Sequence, residues 1–248
     1  MRFLALIYFL CSMSFQNGTG FKKQQLRYER VSSAHDRCSD VIDNLLEKQG
    51  LANEPFELYL RAFKEEGELE VWTRKKGDAE FRLLKNFVIC AKSGNLGPKR
   101  KQGDKQVPEG FYHIDRFNPM SQYHLSLGVN YPNRSDLRRS DSKQPGGDIF
   151  IHGKCVTIGC LPITDTQIEE LYLLCVEVKD RGVDHIPITF FPQRMDPKNY
   201  PNLLSNEEPT EEVKELWSAL KSAYDYFNTE KKLPTIRFEQ DGSHVIGA

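Results

Sequence analysis

The sequence predicts an α+β fold with a largely antiparallel sheet. Three observations carry this: alternating strand patterns fill the middle of the chain, turn residues join them, and amphipathic helical patterns flank them. Ser33 to Gln49 reads as the first helix, with Cys38, Val41, Ile42 and Leu45 at the spacing of one buried face and Gly50 at the C-terminal glycine position. Phe56, Leu58, Leu60 and Ala62 then alternate with Glu57, Tyr59 and Arg61, the pattern of a half-buried strand. Glu65-Glu66-Gly67 and Lys76-Gly77-Asp78 turn the chain into Leu69–Thr73 and then Phe81–Cys90, a three-strand meander whose Cys90 reads as packed inside.

Ser93 to Gly110 is a Gly- and Pro-containing loop carrying Lys99, Arg100, Lys101 and Lys105. Phe111–Ile114 and Tyr123–Val129 are expected as strands, with a second polar loop from Arg134 to Gly147. Loops of this length in a compact domain are functional walls or disordered. Ile149-Phe150-Ile151 is a short apolar strand. Thr164 and Gln167 form a capping box for a helix running to Lys179, whose Ile168, Leu171, Tyr172, Cys175 and Val178 make the buried face. Ile186–Phe191 is a strand. Thr210 caps a last helix with Val213, Leu216, Trp217, Leu220, Tyr224 and Phe227 on its apolar stripe.

Composition narrows the function classes. The 248 residues hold 34 Lys plus Arg against 35 Asp plus Glu, a net charge of −1, which argues against a nucleic-acid partner whose phosphates demand a basic excess. Mean hydropathy of −0.56 and 39% hydrophobic residues read as a soluble globular body. Met1-Arg2, the apolar run Phe3–Cys11 and the polar stretch Ser12–Gly18 have the layout of a secretory signal peptide, so export is expected. Cys11 is a candidate lipid-attachment site, although the residues before it are bulky. Beyond Cys11 the cysteines are Cys38, Cys90, Cys155, Cys160 and Cys175. Five is odd, so in an oxidising compartment at least one thiol stays free. Cys38 and Cys175 read as core.

The densest chemistry lies between Ile151 and Pro162, where His152 leaves a buried strand and Gly159-Cys160 follows eight residues later. Three readings compete. Cys160 is a nucleophile with His152 as its base, and the peptide N–H groups around Gly159 and Cys160 form an oxyanion hole. Alternatively His152, Cys155 and Cys160 bind a metal, although no fourth ligand is evident. The plainest reading is a packed strand end with buried thiols or a Cys155–Cys160 disulfide.

The run Ile151-His152-Gly153-Lys154-Cys155-Val156-Thr157-Ile158-Gly159-Cys160 resembles the active-site signature of YkuD-type L,D-transpeptidases, in the YafK-like branch. Ser93–Lys99, Gly103-Asp104, Pro108–Tyr112, Tyr123–Leu127, Tyr131–Asn133 and Phe191–Met195 agree with that branch in order. The resemblance implies a β-sandwich or barrel-like catalytic domain over residues 55–195 with flanking helices. Around it lie a signal peptide at 1–19, a helical segment at 20–54 and a C-terminal helical extension at 196–248. It implies Cys160 as the acylated nucleophile, His152 as its activating imidazole, and Gly153, Ile158 and Gly159 as backbone framing. Thr157, His124 and Tyr123 are implied as contacts to substrate or to the site residues. His113 and His185 read as structural.

Two positions depart from the wider family: Ile158 stands where a second His is usual, and Pro162 where an Arg is common. The implied activity is acyl transfer through a thioester on diaminopimelate-containing peptidoglycan stem peptides, with no metal or organic cofactor. The product is a cross-link or an anchored protein, made by a monomer in the periplasm or cell envelope of a Gram-negative-type bacterium. The alternatives are an amidase releasing a wall-anchored lipoprotein and a non-catalytic wall-binding module. Cys155 reads as structural.

Overall fold

Five of the seven strand pairings in the main sheet are antiparallel, as the alternating patterns and short turns predict. The computed structural model describes residues 19–248, so the expected signal peptide and Cys11 lie outside the described residues. Helices α1 (Phe21–Gln25) and α2 (Glu29–Lys48) lead into β1 (Phe56–Phe63), β2 (Glu68–Lys75) and β3 (Arg82–Val88). Strands β4 (Gly110–Asn118) and β5 (Ser126–Val129) precede a short helix α3 (Asp136–Arg139), then β6 (Phe150–His152) and β7 (Leu161–Pro162). Helix α4 (Asp165–Asp180), β8 (Pro187–Phe191), α5 (Asn199–Glu207), α6 (Glu211–Glu230), β9 (Thr235–Phe238) and β10 (His244–Gly247) complete the chain. The sheet order is β3-β2-β1-β8-β4-β5-β6-β7, with β1/β8 and β6/β7 parallel, and β9 and β10 form a separate hairpin. The fold is therefore a mixed α+β half-barrel with flanking helices.

Both faces of the sheet are covered, which corrects the half-buried reading of β1. Phe56, Leu58, Leu60 and Ala62 enter a core with Cys38, Ile42 and Leu46 of α2 and Ile168, Leu171 and Cys175 of α4. The opposite face meets α6: Phe63 packs with Trp217, Leu220 and Tyr224, and Tyr59 with Phe227. Arg61 is buried there too. Its guanidinium lies 4.8 Å from the Tyr224 ring centroid and 5.0 Å from that of Phe227, with Nη1 3.3 Å from Glu70, so aromatic faces and one carboxylate replace water. At about 25 cal/mol per Å² of apolar area, this second face is a large share of the stabilisation.

Thr164 caps α4 through Oγ1, which accepts from the Gln167 N–H, as the motif predicts. Gln167 departs from the reciprocal half of the box, because its Oε1 accepts from the Val88 N–H and ties α4 to the end of β3. Thr210 caps α6 as expected. Val41 is 44% exposed rather than part of the α2 core face, where Leu46 replaces it one turn along. Tyr123 and His124 lie in a turn before β5, with His124 at φ +70°, not in a strand. The second polar loop contains α3. The expected C-terminal helical extension ends in the β9–β10 hairpin, and α5 is an additional helix.

Candidate active site

Strand β6 is the second-last strand of the sheet, and its parallel register with β7 decides the site. Ile151 lies opposite Leu161 and His152 opposite Pro162. Ile151 and Leu161 are buried in the core, so alternation puts Phe150, His152 and Cys160 on the other face. The sequence reading of His152 with Cys160 is thereby realised by strand pairing rather than by proximity along the chain.

The two groups rest neutral. Burial pushes the His152 imidazole below its ordinary value, and the ring Nδ1 lies 2.6 Å from the Gly153 carbonyl. A neutral imidazole bonded to a carbonyl through Nδ1 carries its proton there, leaving Nε2 as the basic nitrogen. Burial pushes the Cys160 thiol up, with the Phe150 N–H acting against it, and Sγ lies 3.5 Å from the Asp148 carbonyl oxygen, which accepts from the thiol. The pair is thus thiol and imidazole, set for proton transfer during attack rather than a standing ion pair. Tyr123 covers His152, its ring centroid 4.6 Å from the imidazole.

Residues 153–160 form the connecting loop, and each of its features has a physical cause. A Cβ on Gly153 would stand 2.5 Å from Asp165 Oδ1 and 2.9 Å from the Tyr123 carbonyl, so this glycine serves close packing. Asp165 Oδ1 accepts from the Lys154 N–H at 2.8 Å, pinning the loop to the first turn of α4. Gly159 has φ +139°, a conformation closed to most side chains, against the Gln106 carbonyl. Thr157 Oγ1 accepts from the N–H of both Gly159, at 3.1 Å, and Cys160, at 2.9 Å, and donates to the Cys160 carbonyl. The two N–H groups expected to form an oxyanion hole are therefore engaged by a side chain, because Thr157 sits two and three residues before them. Ile158 is 79% exposed beside the nucleophile.

Cys90 and Cys155 are joined by a disulfide, and Cys38, Cys160 and Cys175 are free. This corrects the packed reading of Cys90 and removes the Cys155–Cys160 pairing. It also withdraws Cys155 from the metal reading, and among the described residues no group of three His, Cys, Asp or Glu is placed to hold a metal ion. Cys38 and Cys175 are buried, as expected. The cross-link holds the site loop to the end of β3, where Ile89 and Ile163 form an isolated antiparallel bridge.

His124 stands one layer behind the site. Its Nε2 lies 2.6 Å from Glu169 Oε1, and Arg37 binds the same carboxylate through two nitrogens. Arg30 Nη1 donates to the carbonyls of Ser121 and His124, so α2 fixes the turn that carries Tyr123. His113 and His185 stack on each other at 4.5 Å, away from this arrangement.

A cleft of about 410 Å³ opens beside Cys160. Its walls are the β1–β2 turn, residues 89–96, Val107, Gln193, and Asn206 and Glu207 at the end of α5. Cys160 is in the wall, while His152 lies behind it, buried beneath Tyr123. The contribution of α5 was not legible in the sequence, since no motif links residues 206–207 to Cys160.

Residues 59–188 match the L,D-transpeptidase catalytic domain family YkuD. The chain is 34% identical over 201 residues to the Escherichia coli K12 protein named "Putative L,D-transpeptidase YafK", covering 80% of this chain and 76% of that one. Among solved structures, it is similar to the helical cell shape determining protein Pgp2 of Campylobacter jejuni, with 18% identity, a TM-score of 0.45 and 80% of each chain covered. It is also similar to Mycobacterium tuberculosis L,D-transpeptidase 1, with 13% identity, a TM-score of 0.30, and 54% of this chain and 62% of that one covered.

Proposed function

The chain belongs to the YkuD family of L,D-transpeptidase catalytic domains, and from that premise we propose that it is a cysteine-dependent acyltransferase of peptidoglycan stem peptides. The observation that supports this best is the shared face of Cys160 and His152, with the thiol in the wall of a cleft and Nε2 as the basic ring nitrogen.

In the proposed mechanism Nε2 of His152 takes the thiol proton as Cys160 Sγ attacks the carbonyl of the L-centre of diaminopimelate. A C–S bond forms, the C–N bond to the terminal D-Ala breaks, and the imidazolium returns its proton to the departing amine. An amine then attacks the thioester to give a cross-link or an anchored protein. Water in its place makes the same site an amidase, the alternative that releases a wall-anchored protein. His124 and Tyr123 act through the placement of His152, and Thr157 through the shape of the loop.

Export to the cell envelope belongs to the same proposal. The Cys90–Cys155 disulfide supports it, since such bonds persist in oxidising compartments. The test is incubation of the protein with purified muropeptides and with a wall-linked protein, followed by product mass analysis beside Cys160→Ala. A Cys160-dependent cross-link or anchored product is expected. Turnover retained by Cys160→Ala refutes the thioester, and release of protein without transfer selects the amidase. A folded protein that never acquires an acyl group on Cys160 selects a wall-binding module.

A further inference from the structure

The cleft beside Cys160 has unequal walls. Glu65 and Glu207 both line it, and neither carboxylate is in an ion pair among the described residues. Of the cations nearby, Lys64 is already committed: its Nζ donates to Glu109 Oε1 at 2.9 Å and to the carbonyls of Gly97 and Val107. Lys92 is bonded to the Glu65 carbonyl.

Helix α5 ends at this wall in Glu208, at φ +45°, and its last carbonyls add negative partial charge to that of Glu207. Between these groups and the nucleophile, Ser93 Oγ is buried in the cleft wall without a hydrogen-bond partner. A buried hydroxyl left unpaired at a concave surface marks a contact that a ligand completes.

From these placements we infer that this arm of the cleft is the subsite for a primary aliphatic amine, carried in as its ammonium, which exchanges with the acyl group on Cys160. Glu65 and Glu207 gather the cation, and Ser93 contacts the adjoining polar group of the amine-bearing peptide. Glu207 lies outside residues 59–188, so this wall is an addition to the family domain. The inference rests on the thioester of the proposed function.

The step balances simply. The ammonium loses one proton to solvent, the amine nitrogen attacks the thioester carbon, and a C–N bond replaces the C–S bond. The second amine proton passes to sulfur by way of His152, restoring the thiol. The amine has two sources: a second stem peptide, which makes a cross-link, or a lysine side chain of a protein, whose release is the same step reversed.

The test uses the full chain and its Glu65→Gln, Glu207→Gln and double variants. Acylation is followed by intact mass with a stem tetrapeptide as donor. Partition of the acyl group is then measured between water and three nucleophiles: Nα-acetyl-lysine, a stem tripeptide with a free amine, and hydroxylamine, which is uncharged at the assay pH. Acylation is expected to stay at the wild-type rate in all variants. Transfer to the cationic amines relative to water falls about fivefold per carboxylate, the effect of one partly screened charge pair, while transfer to hydroxylamine is unchanged. Preference between lysine and tripeptide identifies the source.

Unchanged partition, or an equal fall with hydroxylamine, overturns the inference. If the wild type forms no acyl-enzyme, it is the proposed function that fails. In that event Cys160→Ala is titrated with Nα-acetyl-lysine by NMR. Shifts near Glu207 that vanish in the triple variant carrying both Gln substitutions sustain the amine site, and their absence ends it.

Discussion

The Tyr123 ring lies against the His152 imidazole with centroids 4.6 Å apart and planes tilted by 35°. Tyr123 is 43% exposed, so it faces solvent on one side and shields the imidazole on the other. Its turn is held from α2 by Arg30, which ties the N-terminal helices to the position of the base.

Removal of this ring is expected to loosen the imidazole without unfolding the protein. Tyr123→Ala lowers kcat by on the order of tenfold with KM nearly unchanged, because small displacements of a catalytic group are costly. Tyr123→Phe keeps the stacked ring and restores kcat. Steady-state kinetics of the three proteins decide it. Equal losses in Phe and Ala would point instead to the hydroxyl.

Thr157 Oγ1 accepts two peptide N–H groups at the nucleophile. Thr157→Val leaves both without their acceptor and costs about 1–3 kcal/mol, read as a lower midpoint in denaturant. The acylation rate at Cys160 falls with it, and Thr157→Ser recovers both. A valine variant of undiminished stability contradicts this role.

The disulfide spans 65 residues of chain and joins β3 to the site loop. Its loss is expected to cost about 2–4 kcal/mol, by the loop-entropy account of cross-links. For a protein of this size that corresponds to a fall in Tm of about 5–15 °C. Melting with and without a phosphine reductant, beside the Cys90→Ser/Cys155→Ser double variant, measures it. The double variant should show no further response to reductant.

Acid sensitivity has a named source in the C-terminal hairpin. His244 packs against Phe111 and Phe238, its Nε2 has no hydrogen-bond partner, and burial lowers its pKa to about 4. The unfolded chain therefore binds a proton that the folded chain refuses between pH 6.5 and about 4. Stability from this group is complete above pH 6.5 and is lost as pH falls through that window. Burial of Asp136 raises its pKa to about 6, which acts in the opposite direction. His244→Phe removes only the histidine's part, so it should lose less stability than wild type between pH 7 and 5. Parallel denaturation curves at the two pH values test this, and an equal loss in both proteins contradicts it.

Legibility in the sequence followed the range of the interaction. The strand alternation of Phe56–Ala62, the Thr164 and Thr210 caps, and the Cys38 and Cys175 core positions were all readable, because each depends on neighbours within one or two turns of chain. Val41 was misread for a related reason: periodicity gives a face, while the partner helix decides how wide that face is. Tyr123 and His124 lay in a strand-like pattern, yet the anchor of Arg30 on their carbonyls holds them in a turn.

The sequence by itself determined the identity of the chemistry, since Ile151 to Cys160 contains the thiol, the imidazole and the glycines that the family domain requires. The tertiary structure alone decided their relationship. The parallel pairing of β6 with β7 puts His152 and Cys160 on one face, and the approach of β3 selects Cys90 as the partner of Cys155. The packing of α5 places Glu207 at the cleft. These contacts join residues far apart in the chain, and local pattern carries no record of which distant segments will meet.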